Sequence, residues 1–283
     1  MQGTVDGFSY GLVTPVVAYV MACLGGALGL RCTTRALRTP SWRPGWLALG
    51  SAAIGSGIWT MHFVAMMGFT VKGAPIHYDK PMTFASLGLA VVMVGIGIFI
   101  VGYRGAKGAA LFTGGTITGL GIASMHYLGM AGMRLPGELQ YNTLMVAVSV
   151  VIAMAAATAS LWAAGQVRGF RWSLGASLVM GLAVSGMHYT GMAALRVQLD
   201  SPTGSHADHS SAEMLAPMMI GPLVILVVAG AVVILDPLLV TGRPAWHGHG
   251  HGTTDAPVPP AHSPARAGHR PPRSGRARTP QSW

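Results

Sequence analysis

The sequence predicts an all-α integral membrane protein with seven transmembrane helices, its N-terminus outside and its C-terminus in the cytoplasm. Three observations carry this. Only 9% of the 283 residues are charged, against roughly 25% in soluble domains. Seven apolar stretches each reach the length of about 20 residues that a bilayer-spanning helix needs. A short Met-His segment recurs on every second stretch.

The predicted spans are Tyr10–Leu30, Trp46–Phe69, Met82–Tyr103, Ala109–Met133, Thr143–Gly165, Leu174–Val197 and Leu215–Leu239. No Asp, Glu, Lys or Arg falls deep inside any of them. The first has no basic stretch before it and a basic one after it, so it reads as a retained helix rather than a cleaved signal peptide. The domain division that follows is a seven-helix membrane domain over 8–240. Its repeats lie at about 8–70, 80–134 and 141–197, followed by a last helix at 214–240. A tail follows at 241–283.

Orientation follows from the basic residues. Arg31, Arg35, Arg38, Arg43, Arg104, Lys107, Arg168 and Arg171, with six tail arginines, fall on one side. Lys72, Lys80, Arg134 and Arg196 fall on the other. The positive-inside rule puts the richer side in the cytoplasm. The net charge of +10 is thereby a topology signal, and no nucleic-acid partner is implied. Cys23 and Cys32 lie nine residues apart on one predicted helix and should not bridge.

Three segments align without gaps. They are SAAIGSGIWTMHFVAMMGF from Ser51, GTITGLGIASMHYLGMAGM from Gly115 and SLVMGLAVSGMHYTGMAAL from Ser177. Each lies on an even-numbered span, so the unit is a helix pair and all three units point the same way. This is a parallel repeat about an axis along the membrane normal. His62, His126 and His188 then share one depth, roughly 7–9 residues, or about 10–14 Å, below the outer end of their helices. Small residues recur 11 and 7 positions before each His, and Met66, Met130 and Met192 recur 4 after. At 100° per residue these share a face with the His. Faces of small residues let membrane helices pack closely. The pattern therefore predicts that spans two, four and six meet centrally and bring the three His-Met faces together.

An intramembrane His is costly without a partner and reads as functional by default. A structural His bonded across a helix interface is the plain alternative, and Met is a common filler of apolar helices. Met61, Met125 and Met187, just before each His, add three thioethers on an adjacent face. Thioether with imidazole suits copper(I), and imidazoles alone suit copper(II). Zinc would prefer Cys or carboxylate beside His. Haem, which takes His and Met as axial ligands, is the rival cofactor, and a proton-sensing cluster would need no metal. The candidate metal ligands are Met61, His62, Met66, Met125, His126, Met130, Met187, His188 and Met192.

Met187–Thr190 reads MHYT, Met125–Leu128 reads MHYL and Met61–Val64 reads MHFV. The chain over roughly 8–240 thereby resembles the MHYT family of bacterial membrane sensors. The resemblance implies copper held by the Met and His residues near the outer face. It also implies detection of a diatomic gas such as oxygen, carbon monoxide or nitric oxide. Many members of that family carry a cytoplasmic cyclic-dinucleotide synthase or hydrolase. Here the tail is rich in Pro, Gly, Arg and His and too polar to fold alone, so the sensor is expected to signal through a separate partner. A copper transporter or metal-delivery permease, or a haem protein, is the alternative. No P-loop, GxSxG, HExxH or intramembrane carboxylate pair points to an enzyme. The tail histidines His247, His249 and His251, and the loop set His206, Asp208 and His209, are weaker metal candidates.

Overall fold

Apolar sequence in lipid folds as helix, because every backbone amide must be satisfied within the segment. The computed structural model describes residues 5–7, 9–71, 74–166, 170–199 and 211–236. The loop set at 206–209, the tail, Lys72 and Arg168 lie outside these. Six long helices form, α1 (Val13–Arg38), α2 (Arg43–Met67), α3 (Lys80–Arg104), α4 (Gly108–Ala131), α5 (Thr143–Gln166) and α6 (Phe170–Ala193). The seventh span is composite. A short helix α7 (Ser211–Leu215) and a 3-10 turn (Ala216–Met219) lead into α8 (Ile220–Leu235).

Among the described residues, six of the seven spans are long and apolar enough to cross a membrane. The sixth has the length, but Ser185, His188, Tyr189 and Thr190 lower its apolarity. Large aliphatic side chains such as Val92, Val151, Leu182 and Val227 are exposed around the bundle, as a lipid-facing surface requires. The chain is a multi-pass membrane protein.

The helices form a closed ring in the order α1–α2–α3–α4–α5–α6, with α8 packed outside on α1 and α2. This corrects the expectation of a central trio. Even helices alternate with odd ones, and the small-residue face serves the odd neighbours. A Cβ on Gly55 would meet the Val91 backbone of α3 at 2.8 Å. A Cβ on Gly119 would strike the Met154 backbone of α5, and one on Gly181 would strike Cys23 of α1. The same repeat position thus closes three equivalent seams. At the α1–α2 seam a Cβ on Gly25 would sit 2.7 Å from the Gly57 Cα. Both cysteines are free thiols.

Helix limits shift from expectation where side chains intervene. α1 runs past Leu30 to Arg38. Thr33 and Thr34 return their hydroxyls to the Gly29 and Leu30 carbonyls at 2.9 and 2.8 Å. Arg35 pairs with the buried Asp236, just past α8, at 2.6 Å. At the other end, three strand pairs replace predicted helix or loop. β1 (Val5–Asp6) pairs with β2 (Thr70–Val71), β3 (His77–Tyr78) with β4 (Met133–Arg134), and β5 (Gly137–Tyr141) with β6 (Leu195–Leu199), all antiparallel. Each unit is therefore strand, helix, helix, strand, and its own two strands close it. Asp79 caps α3 by accepting from the Met82 amide at 3.0 Å. Asn142 does the same for α5 through Met145 at 3.1 Å.

Candidate metal centre

α2, α4 and α6 end at Met67, Ala131 and Ala193. Each end is five residues past its histidine, because β2, β4 and β6 begin shortly after. The three histidines are thus one turn to one and a half turns from the strand-bearing end, about 7.5 Å along the helix. They are shallower than the sequence suggested, and equally so in all three units.

The ring brings the three side chains together. His62 Nδ1 lies 3.0 Å from His188 Nδ1 and 3.2 Å from His126 Nδ1, and the third edge is 3.3 Å. The imidazoles meet edge to face, with centroids 4.9, 5.0 and 5.1 Å apart. All three residues are buried, with 1% exposure each. This is a three-bladed propeller on the bundle axis, and its blades come from one repeat position.

Hydrogen bonding among the three cannot be completed. A neutral imidazole offers one donor and one acceptor nitrogen. Each Nδ1 is therefore either a donor or an acceptor, and among three at least two are alike. One edge of the triangle must set donor against donor or lone pair against lone pair. Three lone pairs converging on a cation remove the conflict. The mean edge divided by √3 puts the centre about 1.8 Å from each nitrogen, near the roughly 2.0–2.1 Å of an imidazole–metal bond. The donor set fits a metal ion. The Nε2 atoms of His62 and His126 are sealed without a partner.

The trio is held by its surroundings. Each His stacks edge-on against its following aromatic, Phe63, Tyr127 or Tyr189. The Tyr127 hydroxyl is fixed to Ser149 Oγ at 2.7 Å. Two imidazoles rest on glycine of the next unit. A Cβ on Gly129 would lie 2.7 Å from His62 Nε2, and one on Gly191 would lie 2.5 Å from His126 Nε2. One turn before the histidines, Ile58, Ile122 and Val184 line a cavity of about 30 Å³ on the axis, surrounded by all six helices.

The methionines are placed differently from the histidines. Met61, Met125 and Met187 are fully buried in the core cluster. They sit about 100° round the helix from the His that follows, toward neighbouring helices. Met66 and Met130 are both buried, at 1% exposure, and Met192 is half-buried; Met66 and Met192 border a recess together with His188. Sequence reasoning missed the glycines at Gly129 and Gly191 as supports for the rings. In the sequence they are simply small residues three positions after His126 and His188, because the ring each one supports lies on another unit.

A profile described as "Bacterial signalling protein N terminal repeat", MHYT, matches residues 55–114, 119–177 and 181–243. Each match opens at the glycine seven residues before a trio histidine. The bifunctional diguanylate cyclase/cyclic di-GMP phosphodiesterase MucR of Pseudomonas aeruginosa is 38% identical over 69% of this chain and 29% of its own length. The cyclic di-GMP phosphodiesterase NbdA of the same organism is 35% identical over 71% and 27%. The signalling protein YkoW of Bacillus subtilis is 31% identical over 71% and 26%. The chain thus spans less than a third of the length of these relatives. No solved structure matches it. Three profile repeats in register with the three histidines place the chain in the MHYT family of bacterial signalling proteins.

Proposed function

We propose that this chain is a non-enzymatic sensor module in which His62, His126 and His188 hold a copper ion near one membrane face. It detects a diatomic gas, or redox state, and passes the change to a cytoplasmic signalling partner. The observation that carries the reading is the Nδ1 triangle, buried and unsatisfiable by its own protons. Three imidazoles alone also suit zinc, and it is the thioethers of Met66 and Met192 beside His188 that favour copper(I). Copper so bound supplies an open coordination position and one-electron chemistry. The residues do the rest. The three imidazoles fix position, the aromatic that follows each His holds its ring, and Gly129 and Gly191 leave two rings no room to swing away. The cavity at Ile58, Ile122 and Val184, whose lining also includes Thr33, Thr118 and Ser160, gives space for a small molecule. Holding one water takes about 10–15 Å³ and two to four polar partners. The volume suffices here, but the lining is mostly aliphatic. The positive-inside argument puts the strand-bearing end outside.

The same geometry speaks against haem. Rings whose nitrogens approach within 3.3 Å leave no slot for a macrocycle between them, and the axial cavity is far too small. Transport remains the reading to which vesicle uptake of copper dependent on the trio would point.

The test is metal analysis and absorption spectroscopy of freshly purified protein. Stoichiometric copper is expected in the wild type and none in the His62→Ala, His126→Ala, His188→Ala triple variant. Unchanged copper in a folded triple variant sinks the assignment. Carbon monoxide added to the reduced protein should give a copper-carbonyl infrared band that the triple variant lacks.

A further inference from the structure

The pseudo-threefold arrangement is broken at one seam. Between α2 and α4, Gly129 closes over His62, and between α4 and α6, Gly191 closes over His126. The third seam, between α6 and α2, has Ala65 at the corresponding position. There a recess of about 310 Å³ reaches His188, bordered by Ala65, Met66, Tyr189, Met192 and Ala193. The Nε2 atoms of His62 and His126 are enclosed with no partner. His188 is as buried as the other two, at 1% exposure, but it is the one of the three that borders this recess.

We propose that this recess is the loading door of the trio. A soft monovalent cation enters between α2 and α6 at the strand-bearing end, passes the thioethers of Met66 and Met192, and meets His188 first. The ligand class follows from the lining. Two thioethers and one imidazole, in a lining that holds no carboxylate, select copper(I) or silver(I) over hard cations. Mobile, weakly held thioether ligands also suit a transit site better than a resting one. The arrangement explains why only two of the three Met residues that follow the histidines by one turn are placed at the opening. Met66 and Met130 are equally buried, at 1% exposure each, and what separates them is that Met66 borders this recess. It also gives the three chemically equivalent histidines different roles. His188 exchanges with the outside, while His62 and His126 stay enclosed. The proposal rests on the trio holding a metal.

Ala193 is the last residue of α6, exposed at the rim of the recess, and Ala131 is its exposed counterpart on α4. Ala193→Trp should cover the mouth without touching the core, and Ala131→Trp controls for bulk at a sealed seam. The full chain in lipid nanodiscs is treated with diethyl pyrocarbonate, and the three histidines are followed by peptide mass spectrometry, with and without silver(I). His188 should react at least about tenfold faster than His62 or His126, since enclosed groups react only in rare open states. Ala193→Trp should slow His188 while Ala131→Trp leaves it unchanged, and silver(I) should protect it. Equal rates at the three histidines, or no effect of Ala193→Trp, would overturn the door. A selective reaction at His188 that Ala193→Trp slows, without silver protection or copper uptake, keeps the opening and overturns the metal reading instead.

Discussion

Gly191→Ala adds one methyl group at the most constrained point of the centre. That Cβ would lie 2.5 Å from His126 Nε2 and 3.0 Å from its Cδ2. Ordinary packing contacts sit at about 3.5 Å or more, so the ring must retreat by about 1 Å. Its Nδ1 is 3.2 and 3.3 Å from the other two, and a displacement of that size spoils the equal reach of three nitrogens to one ion. Forced methyl groups in packed interiors cost about 1–3 kcal/mol. If that falls on the bound state, copper(I) affinity drops about 5- to 150-fold. Competition with a chromophoric copper(I) chelator reads this directly. Gly129→Ala, with its contact at 2.7 Å, should show a smaller loss in the same direction. Gly186→Ala is the control, because nothing lies within 4 Å of its Cβ. Unchanged copper affinity in Gly191→Ala would refute the trio as the binding site, whatever happens to the melting temperature.

Asp236→Asn should lower thermal stability strongly. It strands Arg35 in a pair whose side chains are only 13% and 7% exposed, and breaking such a pair costs about 3–5 kcal/mol. Arg35→Met with Asp236→Leu should recover much of the loss in a melting experiment. Ile122→Phe fills the axial cavity beneath the trio. It should leave copper content unchanged and weaken carbon monoxide binding about tenfold or more, as expected for a group lost to or forced into an apolar pocket. Tyr127→Phe removes the bond to Ser149 and should cost about 0.5–1.5 kcal/mol of stability. Copper binding should be unaffected, because Phe63 already serves the first unit without a hydroxyl.

The membrane spans were legible because lipid imposes a composition and a length, and both are local properties of sequence. The shared depth of the histidines was legible because repetition transfers a position from one helix to the next. What escaped were properties of pairs. The face of Gly55, Gly119 and Gly181 is visible in the sequence, but its partners on α3, α5 and α1 are not, so the pattern alone points the even helices at the centre. β5 and β6 escape notice because Leu195–Leu199 continues an apolar helix. The apolar-polar alternation of Leu195, Arg196, Val197, Gln198 and Leu199 was the available signal, and the structure turns it into alternating burial. Asp236 falls into the predicted last span as a terminal residue, since only the fold brings Arg35 from 201 positions away. The metal donors divide in the same way. Histidine at one repeat position had to converge once the ring closed, whereas the flexible methionines depend on which seam each one faces.

The number three itself makes the centre poor at satisfying itself. Two neutral imidazoles can pair as donor and acceptor with no outside help. A third at the same distance from both adds at least one like-against-like contact, in a site with 1% exposure where water does not compensate. The apo triangle is therefore a source of instability that a bound cation removes. Replacing one member by an apolar side chain of similar volume should then stabilise the empty protein while destroying the site, as apolar replacement of buried polar sets often does. His126→Leu suits the test, because its Nε2 is already sealed and unpartnered and the remaining pair, His62 and His188, stands at the shortest edge, 3.0 Å. Copper-free wild type should melt below copper-free His126→Leu. Added copper should raise the wild type past the variant and leave the variant unmoved. A variant that melts lower than the empty wild type would show the triangle to be a hydrogen-bonded core built for packing, and the case for a cation at its centre would go with it.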